Sequence, residues 1–241
     1  MTRLDVALVA RGLFESRARA QAAISSGSVK VGGKVITKAS LKVSDDDDIT
    51  AKAAHPWVSR GGVKLAHALD VFKVDPIGLT ALDVGASTGG FTDVLLTRGA
   101  KRVYAVDVGT DQLHKKIRSD ARVKVMEQTD ARHLTGSSFN VPIDLVVCDA
   151  SFISATKILG APMALARPGA QLITLIKPQF EMGRDALGKG GIIRDKETAE
   201  DAVRIVKSWI EASGWIFIAD CKSPITGGSG NHEYLLHARK I

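Results

Sequence analysis

LDVGASTGGF, residues 82–91, is an apolar run that stops at an acid and a glycine and then continues through Gly89 and Gly90. Such a run predicts a buried strand that turns at Gly85 and enters a helix, with small residues where a ligand approaches the backbone. In open α/β sheets ligands bind outside the carboxyl ends of the strands, where the strand order switches. The spacing is G-x-x-x-G-G and not the G-x-G-x-x-G dinucleotide fingerprint, which disfavours a nicotinamide cofactor. Outward from this stretch, strands are expected at 81–84, 102–106, 123–127, 143–148, 171–176, 215–219 and 233–238. A helix is expected over 196–212, with Ala199, Val203, Val206 and Ile210 on its buried stripe. Strands alternating with helices make an α/β sheet of seven strands, closed by a terminal hairpin.

Asp107 ends the second strand, where a carboxylate can accept hydrogen bonds from two ribose hydroxyls. Asp130, in TDAR after the third strand, is placed for an adenine edge. Either acid alone has a plainer reading as the cap of the next helix. Taken with the glycines, they point to nucleoside binding.

The chain has 241 residues, 45% of them apolar, and carries 33 Lys and Arg against 26 Asp and Glu, for a net charge of +7. This is globular composition, long enough for one domain or two. No run approaches the ~18 apolar residues of a membrane helix, and the apolar run 6–10 is too short for a signal peptide. Cys148 and Cys221 lie in strand-like runs, which suits reduced thiols in a cytoplasmic protein. The six histidines show no zinc-type spacing, so no metal site is expected. The basic balance, with only 5% aromatic residues, points to a polyanion held mainly through its phosphates.

Most of that excess lies near the start. Residues 1–44 hold eight basic side chains against two acidic ones, and the run 45–48 then reads as a solvated acidic turn before a strand near Ile49. Ser16 is placed to cap a helix that buries Ala20, Ala23 and Ile24 and stops at Gly27. Val29 and Val31 alternate like a strand, and Gly32 and Gly33 turn it back toward Val35. Arg3, Arg11, Arg17, Arg19, Lys30, Lys34 and Lys38 form either an RNA-binding face or an ordinary solvated surface. RLDVALVARGLFESRARA (3–20) followed by ISSGSVKVGGKV (24–35) resembles the S4 RNA-binding domain, an α+β module, over about fifty residues. The sequence departs from that pattern at Gly32, where Asn is usual, and at Ala39, where Pro is common.

His55-Pro56-Trp57-Val58 reads as a linker, giving an S4-like domain at 1–54, a linker at 55–59 and a second domain at 60–241. Trp57 either packs the small domain against the large one or shields the linker.

Four charged residues stand where strand or helix ends should converge: Lys64 in SRGGVKL, Asp149 in CDASFIS, Lys177 in LIKPQFE and Glu233 in GNHEYLLH. A charge directly after a run as apolar as 172–176 must reach water or be paired. In order they read Lys, Asp, Lys, Glu, and the arrangement resembles the FtsJ-like 2′-O-ribose methyltransferases, with a Rossmann-like class I sheet. Behind an S4 module, with HPWV as a tryptophan-bearing linker, the chain is similar to the TlyA family, which also carries the label haemolysin A. That resemblance implies S-adenosylmethionine-dependent methylation of cytidine 2′-hydroxyls in 16S and/or 23S ribosomal RNA, with ribosomal RNA or subunits as partner. It implies catalysis by Lys64, Asp149, Lys177 and Glu233. It places Asp83, Gly85, Ala86, Ser87, Thr88, Gly89, Gly90, Phe91, Asp107, Val108, Asp130, Ala131 and Asp149 around the cofactor. The other readings are an rRNA-binding protein with an inactive methyltransferase fold and a membrane-active haemolysin, against which stands the missing apolar span.

An unperturbed lysine titrates near ~10.4, so Lys177 acts as a base only if its environment destabilises the proton. Otherwise it stays charged beside the developing alkoxide while Asp149 takes the proton. The glycine-rich stretch 178–194 has no apolar period and reads as a long loop, either a lid over RNA or a disordered segment.

Overall fold

A computed structural model describes residues 1–241 apart from the side chain of Arg184. The chain divides into two compact units, Met1–Pro56 and Trp57–Ile241.

In the first unit, β1 (Thr2–Arg3) leads into α1 (Leu4–Ala10), and α2 (Arg17–Ser25) follows. The Ser16 hydroxyl accepts the Arg19 amide as the cap of α2, and Gly27 takes a φ of +74° just beyond its end. Then come β2 (Val29–Val31), β3 (Lys34–Val35), β4 (Lys42–Val43) and β5 (Ile49–Ala51). β2 is the centre of a three-stranded antiparallel sheet, and β1 pairs with β4 in a two-stranded ribbon that the local pattern did not suggest. Leu4, Leu8, Phe14, Ala20, Ala23, Ile24, Val29 and Val43 form its core.

The second unit opens with α3 (Gly61–Phe72), then β6 (Thr80–Val84), α4 (Gly90–Thr97), β7 (Arg102–Val106), α5 (Lys115–Arg118), β8 (Val123–Met126) and β9 (Ile143–Cys148). It continues with α6 (Ala155–Ile158), α7 (Gly160–Leu165), β10 (Ala166–Ile176), α8 (Pro178–Glu181), α9 (Lys196–Ala212), β11 (Trp215–Lys222) and β12 (Tyr234–Lys240). The seven strands lie in the order β11-β12-β10-β9-β6-β7-β8, parallel except for β12, which runs antiparallel to both neighbours. β6 pairs with both β7 and β9, so the order switches at the strand carrying LDVGASTGGF.

Alternation along the strands makes two cores. Leu82 and Val84 face one side with Val206 and Ile210 of α9; Ala81 faces the other with Leu65 and Leu69 of α3 and Val94 and Leu95 of α4. Asp195 caps α9, accepting the Thr198 amide at 2.8 Å.

Three expectations need correction. The third strand stops at Met126, because Glu127 turns aside to accept the amides of Asp111, Gln112 and Leu113 and the Arg118 guanidinium. The fifth begins at Ala166, with a register shift before Gln171. The stretch 178–194 is not one open loop: α8 and a 3₁₀ turn at Arg184–Ala186 interrupt it, and Ile193 is buried near its end. Pro178 starts α8, a position where its missing N–H is harmless.

Candidate active site

Strand polarity brings the carboxyl ends of β6, β7, β8, β9 and β10 to one edge of the sheet. The β6 turn is made by Gly85, at φ +77°, where a Cβ would come within 2.9 Å of the Ala150 Cα. Only glycine lets the turn after β6 press this closely on the turn after β9. Between the strand ends lies a cavity of about 470 Å³, lined by Gly85, Ser87, Asp107, Asp130, Asp149 and Phe152 among others. That volume is typical of small-molecule sites.

Val108 and Ala131 also line this cavity; Asp83, Ala86, Thr88, Gly89, Gly90 and Phe91 do not. Asp83 is fully buried under α4, where the Thr92 hydroxyl donates to its Oδ2 at 2.6 Å. Burial pushes its carboxyl up to about 7, outweighing the Thr92 hydrogen bond. Ala86 and Phe91 are core residues, and Gly89 and Gly90 open α4. Asp107 accepts the amides of Ser87 at Oδ2 and Gly109 at Oδ1, both at 2.8 Å, which locks its carboxylate at the cavity wall. Asp130 caps the 3₁₀ turn Ala131–His133 and pairs with Arg132 at 2.6 Å, which holds its carboxyl down to about 2.

The four charged residues meet. Lys64 stands in the first turn of α3, with Nζ 2.7 Å from Glu233 Oε2 and 3.8 Å from Asp149 Oδ2. Lys177 Nζ lies 2.7 Å from Asp149 Oδ1, and donates to Ser151 Oγ at 2.8 Å and to the Asp149 carbonyl at 3.2 Å. The lysine side chains are only 9% and 8% exposed, so each ammonium has exchanged water for carboxylate, hydroxyl or carbonyl oxygen. The two carboxylates and two ammonium groups alternate in a chain, Glu233–Lys64–Asp149–Lys177, of which Asp149 lines the cavity. Glu233 lies one residue before β12, where its carbonyl accepts the Ser223 amide.

Ser151 was not singled out from the sequence, although a hydroxyl two positions beyond a strand-end acid was a usable signal. Phe152, next to it, is 90% exposed at φ +66°, and its ring stands 5.3 Å from that of Phe180 on α8. Half-buried Trp57 packs on the α3–α4 side of the sheet, and Asp93 of α4 accepts the Val58 amide at 2.9 Å and Lys116 Nζ at 2.8 Å. Among the described residues no group of His, Cys, Asp and Glu could hold a metal ion, and no helix is long and apolar enough to cross a membrane.

In the first unit, Arg3 and Arg17 both donate to Asp5, a fully buried acid that also accepts the Gln21 amide. Arg11 donates to the carbonyls of Ser44, Asp45 and Asp47, which fixes the acidic turn. Lys30, Lys34 and Lys38 are exposed on or near the hairpin, and Arg19 is half-buried on α2.

Residues 57–240 match the FtsJ-like methyltransferase model and residues 2–49 match the S4 domain model. The chain is 43% identical to the 16S/23S rRNA (cytidine-2'-O)-methyltransferase TlyA of Mycobacterium tuberculosis, over 98% of this chain and 89% of that protein. It is 42% identical to Hemolysin A of Brachyspira hyodysenteriae, over 98% of both. A solved structure of a hemolysin candidate from Streptococcus thermophilus superimposes with a TM-score of 0.79 at 40% identity, covering 99% of this chain and 88% of that one. With its switch-point cavity, its buried Lys-Asp-Lys-Glu chain and these relatives, the protein belongs to the FtsJ-like methyltransferase family, in the TlyA group that carries an S4 domain in front.

Proposed function

We propose that this chain methylates the 2′-hydroxyl of cytidines in ribosomal RNA, with S-adenosylmethionine as donor and the S4 domain gripping the RNA. The observation that carries this reading is the convergence of Lys64, Asp149, Lys177 and Glu233 beside the β6–β9 cavity. The donor set fits the cofactor. Each Asp107 oxygen accepts one amide and keeps a second lone pair for a ribose hydroxyl, and Gly85 lines the same cavity. Asp107, Asp130, Ser87 and Gly85 would hold it, and when bound it supplies an electrophilic sulfonium methyl.

The protein's own task is to align a ribose oxygen with that methyl and to handle one proton. Lys177 Nζ donates to Ser151 Oγ and the Asp149 carbonyl and ion-pairs with Asp149 Oδ1, an all-oxygen setting that suits an ammonium. In that form Lys177 steadies the oxygen as it gains negative charge, by exchanging the Ser151 contact for the substrate. Asp149, held between two lysines and facing the cavity, takes the proton. Glu233 balances Lys64 so that the pair stays buried without an excess charge. Phe152 offers an exposed ring at the mouth on which a base can stack. Two free cysteines suit a reducing cytoplasm.

Incubating ribosomal subunits with the full chain and labelled S-adenosylmethionine, then mapping positions that resist alkaline cleavage, tests the reading. Label at cytidines that become cleavage-resistant is expected, since cleavage needs a free 2′-hydroxyl. Label on bases alone, or none, overturns it.

A further inference from the structure

Glu181 stands on the same turn as Lys177 and faces the same segment. The amides of Phe180 and Glu181 donate to the Lys177 carbonyl at 2.8 and 3.3 Å, so both charged side chains ride on one short rigid element. Two links cross from it to the segment after β9. Lys177 reaches Asp149 and Ser151. Glu181 reaches further along, accepting the Ser154 hydroxyl at Oε2 (2.5 Å) and the Ala155 amide at Oε1 (2.8 Å). Between these attachments the backbone takes its left-handed step at Phe152, whose ring meets Phe180.

One link fixes a distance, whereas two fix an orientation as well. Burial pushes the Glu181 carboxyl up, against the pull of the Ala155 amide and the Ser154 hydroxyl. A carboxylate here therefore costs stability that an apolar side chain would not. The charge sits where the Lys177 turn and the Asp149 segment must hold register.

We propose that Glu181 is a positioning residue for the transfer reaction: it fastens the 149–155 segment to the turn carrying Lys177 and so sets where Asp149 and Ser151 stand against Lys177 Nζ. This rests on the methyl-transfer reading above. Glu181 does not line the cavity. Its loss therefore lowers turnover far more than it weakens cofactor binding, whereas a general loss of folding would lower both together.

The test uses the full chain with ribosomal subunits, measuring kcat and KM for transfer and, separately, calorimetric binding of S-adenosylmethionine. Glu181→Ala is expected to lower kcat by about 10²-fold, the effect of an ångström-scale misplacement, with cofactor affinity falling by about ten-fold or less. Glu181→Gln restores most of the rate, because its amide oxygen still accepts the Ala155 amide. Should Glu181→Ala not fold, Ser154→Ala removes one of the two attachments and is expected to lower kcat by about five-fold. A kcat within about two-fold of wild type in whichever of these two variants folds, or parallel loss of turnover and cofactor binding, overturns the proposal. Absence of transfer by the wild-type chain ends the function reading and this inference together; wild-type transfer with an indifferent Glu181→Ala ends this one alone.

Discussion

The two units both neutralise their basic side chains with acids, but at different depths. In the first, a buried Asp5 holds Arg3 and Arg17, whose side chains remain 41% and 57% exposed and face water. In the second, Lys64 and Lys177 are themselves inside, and their partners Glu233 and Asp149 are largely covered as well. The first arrangement orients cations that can still meet a phosphate. The second removes ammonium groups from water, which is expensive unless each finds a full set of oxygens, and it makes their field strong where charge develops. On the proposed function, depth of burial, more than charge, separates a gripping surface from a reacting one.

The largest effect that tests this contrast is expected at the inner end of the tetrad. Lys177→Ala should lower kcat by about 10³-fold or more, while Lys177→Arg, which keeps a charge but cannot act as a base, should retain measurable transfer. Equal loss in both variants, measured with labelled cofactor, would return the base role to Lys177.

Asp83 is the extreme of the buried case, a carboxyl at the centre of the second unit with a hydroxyl for company. Its folded pKa of about 7 lies above the unfolded value near 4, so the native state binds the extra proton. Stability is then full below about pH 4 and falls as pH rises toward about 7, by up to about 4 kcal/mol at 1.36 kcal/mol per unit. Asp83→Asn should remove that slope in thermal melts taken across this range; an unaltered slope would place the titration elsewhere.

Gly227 probes the outer end. A Cβ there would stand 2.5 Å from Glu233 Oε1. Gly227→Ala is expected to push Glu233 away from Lys64 and reduce kcat by about 30-fold with cofactor affinity preserved. Comparable loss of cofactor binding would show that the turn, not the carboxylate, was disturbed.

The smallest effects belong to the surface. Replacing Lys30, Lys34 and Lys38 together with Ala should weaken RNA binding by about ten-fold and flatten its salt dependence, without changing the melting temperature. Arg17→Ala should do the reverse in part: it leaves Asp5 short of a partner and lowers the melting temperature. If the lysines alter stability and Arg17 alters only binding, the contrast between the units is drawn the wrong way round.

Much of the fold was legible because its signals are local. β7, β9 and α9 stand where periodicity put them, and the cap at Ser16 uses a side chain within three residues of its target. Glu127 was read as the end of a strand, since its three amide partners lie more than a dozen positions earlier. The sequence places Arg3 and Arg17 on an RNA-binding or solvated surface and is silent on their partner, since nothing in their spacing reveals that Asp5 points between them. The tetrad was legible from its places at strand and helix ends and from resemblance; its members are too far apart along the chain for spacing to relate them.

Left to itself, the amino-acid sequence determined the order of the main strands and helices, which faces they bury and how much positive charge the chain carries. Those properties follow from neighbouring residues and the periods 2 and 3.6. The tertiary structure alone decided which acid meets which base, because ion pairing among Lys64, Asp149, Lys177 and Glu233 exists only after β9, β10, β12 and α3 have been brought to one edge. Hydrophobic burial drives that assembly without reference to the charges, and the charges then pair because leaving any one of them alone at that depth would cost more than the fold can sustain.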